Sequence, residues 1–388
     1  MSGKRTVIDS NITYGKDDVI FEETKSKKTK KTKKNDTNGK KKNVKKRVLI
    51  TLGVFLCLLV VFYLLFAFGN FYPFKQLREI YVETAMTTDE HQWLAEWFLP
   101  KSVIEKVMKR QVKAFDDVSE ADVKIAADEG VDDILGQRDL KVGDLDYTGR
   151  EILINDIDQG IMVSKITGEG YVGKIMLVDD PSRIFLGVTP YWGSRGIVMV
   201  DMLANYDAIA GINASGFRDP NGHGDGGSAD SCNRSEGVTR GSYRYDRATI
   251  GFNEDNKLVV GNIPANEWDD YKLTDCCQFG PALVIEGEQM VFDSAGYGLH
   301  PRSVIGQRED GVVMLMIIDG RQVGYSLGIT LGECAKIMLE YKAVSAAAND
   351  GGSSAVLGYD GEIITIPSSK SLRSTGRYLP DAWLVKRK

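Results

Sequence analysis

Val48 to Phe68 is a run of twenty-one residues without a charge, built mostly from Leu, Val and Phe. At 1.5 Å per residue, a helix of this length spans a hydrocarbon core of about 30 Å, so the run reads as one transmembrane helix. It divides the chain into two chemically different regions. Residues 1–50 carry sixteen Lys or Arg against six Asp or Glu, a net of +10, whereas the rest nets −15. Lys40, Lys41, Lys42, Lys45, Lys46 and Arg47 crowd one flank, while the first twenty residues beyond the run offer only Lys75 and Arg78. That asymmetry predicts a cytoplasmic N-terminus and an extracellular C-terminal domain on a single-pass cell-membrane protein. Tyr63, Phe66, Phe68, Phe71 and Tyr72 cluster at the outer end, as an interfacial aromatic belt would. A cleaved signal peptide is the alternative, with Ala67-Phe68-Gly69 as its small-residue cleavage site, but the head and the apolar run are both too long for one.

The domain boundaries follow from these shifts in composition. Residues 1–47 read as a disordered basic tail, because Lys25 to Arg47 is mostly Lys, Thr and Asn and has little apolar surface to bury. A basic run can bind nucleic acid, but the membrane segment behind it points to a membrane flank and no nucleic-acid partner. Residues 48–70 are the membrane helix. Residues 71–140 read as a helical stalk or spacer, with Trp93, Leu94, Trp97 and Phe98 on an apolar face and Pro100 as a break; it shows no chemistry, and His91 reads as a surface residue. Residues 141–388 change to short β-rich runs such as Ile161 to Ile166, Val172 to Val178 and Ile184 to Val188. Two helices interrupt them, Val198 to Tyr206 and a better-marked one in which Thr330 and Glu333 form a capping box. Strands and helices do not alternate strictly, so the expected class is α+β with mixed sheets and packed helices.

Of the five cysteines, Cys57 lies in the membrane run and Cys334 sits among apolar residues at helical spacing. Cys232 is expected to bridge to Cys276 or Cys277 outside the cytoplasm. No CxxC pair is present, so a sulfur-bound metal is not expected.

Three segments carry the remaining signal. The first is Gly211-Ile-Asn-Ala-Ser-Gly-Phe217, followed by the Gly-rich Asp219 to Gly227. The second is Gly280-Pro281, then Pro301-Arg302-Ser303, Gly306-Gln307, and an apolar strand ending in Ile318-Asp319-Gly320-Arg321. The third is Ala346-Ala-Ala-Asn-Asp-Gly-Gly-Ser-Ser354, with Arg377 and Pro380 near the end. In this order, over about residues 145–388, they resemble the phosphodiester glycosidase domain, the family of the lysosomal uncovering enzyme and of many bacterial surface proteins. The chain departs from the family in having Ala348 where Asn is usual before Asp350, Lys342 where Gly usually precedes Ala343, and Ser303 in place of Thr.

The resemblance implies hydrolysis of a sugar 1-phosphodiester, with a phosphate-linked glycan or cell-surface polymer such as an exopolysaccharide or cell-wall chain as partner and no cofactor. That chemistry needs a cation for the phosphate and a carboxylate at the anomeric carbon. Arg302 and Arg321 are the cation candidates, because guanidinium meets phosphate bidentately, and Asp319 and Asp350 are the carboxylates. Asn213, Ser215, Gly216, Gly351, Gly352, Ser353 and Ser354 are the substrate-binding candidates, since exposed amides and hydroxyls cradle anions. Asp-Gly is also a common turn pair, so each acid has a plain reading as a turn former.

Two other motifs are weighed against this. Asp219, Asn221, His223 and Asp225 alternate as a calcium loop would, but His at the fifth position and Asp230 at the twelfth match poorly, so no metal is assigned. Gly324-Tyr-Ser326-Leu-Gly328 fits the serine-hydrolase elbow, yet His91, His223 and His300 all precede Ser326, and that fold needs a histidine after the serine. A non-catalytic glycan-binding or assembly protein on the same fold is the second functional reading, favoured by Ala348.

Overall fold

The computed structural model describes residues 37–88, 91–109, 123–126, 130–131, 133–219, 224–294, 296–369 and 372–388. The tail up to residue 36, and Val112 within the expected stalk, lie outside these. The chain forms two compact units, residues 1–60 and 61–388.

Helix α1 runs from Thr37 to Phe68. Its stretch Asn43–Phe68, 26 residues containing an 18-residue window of mean hydropathy 3.0, is long and apolar enough to cross a membrane by length and composition. Residues 37–47, expected as part of the basic tail, are the first turns of α1. Lys is a good helix former, and adding turns to an existing helix avoids the cost of nucleation.

Three short helices follow in the second unit: α2 (Phe74–Met86), α3 (Gln92–Phe98) and α4 (Lys101–Met108). Val82, Ala85, Ala95, Leu99, Ile104 and Val107 form their shared core, together with Ala67 of α1. This segment is packed against the β-rich part. Ser294 donates its hydroxyl hydrogen bond to Glu83, and the Leu299 amide donates to Thr84 Oγ1 at 3.0 Å.

The β-rich part is built on three antiparallel sheets, its strands numbered in chain order. The eight-stranded sheet places β1 (Ile152–Asp156), β2 (Ile161–Gly168), β3 (Tyr171–Val178), β14 (Val313–Ile318), β13 (Arg302–Arg308), β15 (Ala343–Asn349), β11 (Ala282–Ile285) and β12 (Glu288–Gln289) side by side. A five-stranded sheet orders β7 (Val238–Arg240), β6 (Asn233–Ser235), β10 (Leu273–Phe279), β8 (Ala248–Asn253) and β9 (Leu258–Gly261). The third orders β17 (Glu362–Ile363), β16 (Leu357–Tyr359), β5 (Ala208–Asn213), β18 (Asp381–Lys386) and β4 (Ile184–Val188). Helices α5 (Met199–Asn205) and α6 (Leu331–Glu340) complete an α+β fold, as expected.

Strand β14 shows why the central sequence is apolar without alternation. Val313, Leu315 and Ile317 face a core shared with the smaller sheets, while Met314, Met316 and Ile318 face a second core closed by α6. A strand covered on both sides has no polar face to write into its sequence. Helix α6 forms where its capping box predicts, with the Glu333 amide donating to Thr330 Oγ1 at 3.2 Å.

The expected disulfide is not formed: Cys232, Cys276 and Cys277 are buried free thiols. The β6–β10 register sets Cys276 across from Arg234 and Cys277 across from Asn233, so neither stands opposite Cys232. Successive strand residues face opposite ways, and Cys277 points into the main core while Cys276 shares a small cluster with Cys232 and Trp268.

Candidate active site

Antiparallel pairing brings the motif residues to one end of the central strands of the large sheet. Arg302, the first residue of β13, pairs with Ile318, the last of β14, and Ser303 pairs with Asn349, the last of β15. Gly320-Arg321 and Asp350-Gly351 therefore leave the sheet at the same end, on either side of β13. The end of β5 joins them through the Asp350 amide, which donates to Ala214 O at 2.9 Å, and through Asn213 Nδ2, which donates to Asp350 O at 2.6 Å.

Here a cleft of about 490 Å³ is lined by His300, Arg302, Arg321, Asn349, Asp350, Gly351 and Gly352, with Phe279 and Tyr297 on one side and Met86, Thr87 and Met108 on another. Burial pushes the Asp350 carboxyl up to about 7. A hydrogen bond from Ser354 and the charges of Arg247 and Arg377 pull it down, while Asp230 pushes it further up. Arg321 reaches across to Gly352, whose φ is +62° and whose missing Cβ would stand 3.1 Å from Nη2. A side chain there would be strained and would displace the guanidinium.

Arg321 also meets His300 Nδ1, at 3.2 Å from Nη2 and 3.4 Å from Nε. Guanidinium only donates, so Nδ1 accepts, and the ring proton sits on Nε2, 2.7 Å from Thr87 Oγ1. Burial and the nearby Arg302 and Arg321 hold His300 well below the ordinary histidine range, consistent with a neutral ring. Arg302 is buried beside it, and its fork is spent on main-chain carbonyls: Gly298 O at 2.8 Å, Tyr297 O at 3.2 Å and Ile329 O at 3.2 Å. Burial, with Arg321 adding, lowers its pKa to about 10.

Other candidates lie elsewhere or do other work. Asp319 is not on the cleft wall. Its carboxylate accepts from Tyr325 OH at 2.8 Å and from the Ile366 amide at 3.0 Å, and burial raises its pKa. Ser326, set aside as a nucleophile, donates to Asp319 O at 2.5 Å and accepts from the Val172 amide. Ser215 donates to the buried Asp381, which also accepts from Asn233 at 2.6 Å. Asn213 also accepts from the Val356 amide and so clasps the loop after Asp350. Ser353 accepts from Arg377 at 3.1 Å. Of the calcium-like loop, Asn221 and His223 lie outside the described residues; Asp219 is gripped by Arg377 at 2.6 and 2.7 Å, and Asp230 by Arg247 at 2.7 Å.

Arg247, Asp230, His300, Asn349 and Thr87 are not among the catalytic or substrate-binding candidates of the sequence. Gly216 gives the signal for the first two: a Cβ there would meet the Phe279 ring at 2.8 Å and Arg247 Nη1 at 3.1 Å. Asp230 Oδ1, Arg247 Nη1 and both amide atoms of Asn349 are buried with no hydrogen-bond partner among the described residues. Buried polar atoms of this kind are uncommon and mark a place where a ligand or solvent completes the set.

The family model of the phosphodiester glycosidases matches residues 206–386, a span that carries the ends of β5, β13, β14 and β15. Over this span the chain is similar to the phosphodiester glycosidases. The chain is also 27% identical over 196 residues to the SPbeta prophage-derived uncharacterized protein YomE of Bacillus subtilis strain 168. That match covers 48% of this chain and 29% of the relative, so the chain spans under a third of that protein's length. Among solved structures, the catalytic domain of zebrafish N-acetylglucosamine-1-phosphodiester alpha-N-acetylglucosaminidase, auto-inhibited by its pro-peptide, aligns with a TM-score of 0.47 and 18% identity over 59% of this chain and 82% of that one. A hypothetical protein from Synechocystis aligns with a TM-score of 0.46 and 16% identity over 61% of this chain and 64% of that one.

Proposed function

We propose that the domain hydrolyses a sugar 1-phosphodiester in a cell-surface glycopolymer or exopolysaccharide, on the outer side of the membrane to which α1 anchors it. The observation that carries this reading is that Asp350 and Arg321 line one cleft. A carboxyl group that titrates near 7 and a guanidinium held across from it supply the two charges the reaction uses. Arg321 holds the phosphate. Asp350, as the carboxylate, stabilises the positive charge that develops at the anomeric carbon. Water adds to that carbon and gives up one proton to solvent, the bond from the carbon to the phosphate oxygen breaks, and the phosphomonoester leaves as an anion with the bonding electron pair. Arg302 adds positive charge behind Arg321, and Asp319 holds the turn that presents Arg321.

The test is incubation of the full chain with a panel of sugar 1-phosphodiesters in isotopically labelled water. Label entering the freed sugar supports the reading, whereas label entering phosphate would mean cleavage at phosphorus. Ala348 favours a second reading, a glycan-binding module without turnover. It lines the cleft where the family usually carries Asn. Saturable glycan binding with no released sugar across the panel would establish it.

A further inference from the structure

The helices after α1 fold back along its outer end. The rings of Phe62 and Phe74 stand 5.9 Å apart and those of Phe66 and Tyr81 5.5 Å apart, both edge-on. Tyr63 OH donates to Phe98 O, the last residue of α3, at 3.0 Å. Arg78 of α2 locks the arrangement by donating to Gly69 O at 2.7 Å and to Phe66 O and Ala67 O, the open carbonyls at the end of α1. Phe62 and Tyr63 lie five to six residues short of the end of α1 at Phe68, which is about 8 Å along the axis. Whatever touches them is therefore drawn below the level at which the apolar helix ends.

What this arrangement leaves open to solvent is aromatic. Trp97 is 77% exposed, Trp93 44%, Tyr72 80%, and Phe71 and Phe98 each 53%. Trp93 and Trp97 stack edge-on at 5.0 Å, while the opposite face of α3 buries Ala95 in the helical core. Tryptophan and tyrosine prefer the boundary between lipid headgroups and acyl chains, where an apolar ring and a polar edge are both accommodated.

We infer that Trp93, Trp97 and Phe98 of α3, with Phe71 and Tyr72, form a docking face that seats this domain in the headgroup boundary of the bilayer crossed by α1. The inference rests on α1 being a membrane span. The partner is lipid rather than protein because the face is continuous with the apolar helix and is held at the depth of its last turns. Helix α2 carries 13 residues, about 18 Å, from Phe74 at this face to Met86 on the wall of the cleft, so docking brings the cleft close to the membrane surface.

The experiment reconstitutes the full chain in phosphatidylcholine vesicles whose lipids carry bromine on the acyl chain, and reads tryptophan quenching. The Trp93→Phe, Trp97→Phe double variant isolates the two indoles, since the other tryptophans stay in both proteins. Quenching should fall about twofold or more in the variant, as expected for indoles held at the boundary. Equal quenching in parent and variant, with the chain still resistant to alkaline extraction, overturns the inference and leaves the anchor reading standing. Release of the chain by alkaline extraction would instead sink the anchor reading. Cross-linking at Trp97 between two copies in place of lipid quenching would also overturn the proposal.

Discussion

At Asp350, burial outweighs the pull of Ser354, Arg247 and Arg377, and the carboxyl titrates at about 7. The active form in the proposed reaction is the carboxylate, so kcat/KM should rise with pH up to about 7 and level off above it; a profile flat from pH 5 to 8 would contradict the role. Asp350→Asn, nearly isosteric, should lower kcat/KM by about a hundredfold, or ~2.7 kcal/mol of transition-state stabilisation. Because the folded pKa is raised above the unfolded value, the contribution of Asp350 to stability is full below about pH 3.9 and is lost as pH rises through 7. The Asn variant lacks this loss, so its melting temperature should exceed the parent's at pH 8 but not at pH 3.5, read by thermal unfolding. Arg321→Lys keeps the charge but loses the planar fork. Turnover should fall with the melting temperature unchanged, and parental kinetics would remove Arg321 from the mechanism.

At the scale of elements, α2 is the least expected contributor, because the only polar group it brings toward the cleft is Thr87 at its end. Thr87→Val removes the acceptor for His300 Nε2 and frees the ring to take the other tautomer, which would place a proton against Arg321. We expect kcat to drop about tenfold, equivalent to one hydrogen bond of ~1.4 kcal/mol. Thr87→Ser should restore it, whereas a merely structural role would leave Ser and Val alike in kcat. Helix α6 offers a contrasting case. Thr330→Ala removes its N-cap and should lower unfolding free energy by about 1 kcal/mol in a denaturant titration, without touching KM. The capping box was legible in the sequence because it is local: two side chains three residues apart satisfy each other's amides.

Across the whole molecule, the charge asymmetry around α1 leads to a topology experiment. Protease added to intact cells should remove residues beyond the membrane and leave the Lys-rich segment protected. A protected C-terminal domain would reverse the orientation, and release of a soluble chain starting near Asn70 would mean that α1 is cleaved. The β-rich part holds its cleft where the sheets meet the helices α2 and α4, so loosening any of them should be felt at the site.

Features that depend on neighbours in sequence were readable from the chain alone: the apolar helix, the capped α6, the strands β2, β3 and β4, and the Gly-flanked turns at Asp319 and Asp350. The two Asp-Gly turns looked equivalent because local chemistry cannot tell them apart. Only the pairing of β13 with β14 and β15, and the packing of Tyr325 and Ile366 on one side and of Arg247 and Ser354 on the other, set Asp350 in the cleft and Asp319 outside it. His300, Arg247, Asp230 and Thr87 were invisible for the same reason. Their partners are distant in the chain, as Thr87 and His300 are, and a contact of that kind exists only once the sheets and helices have closed on one another.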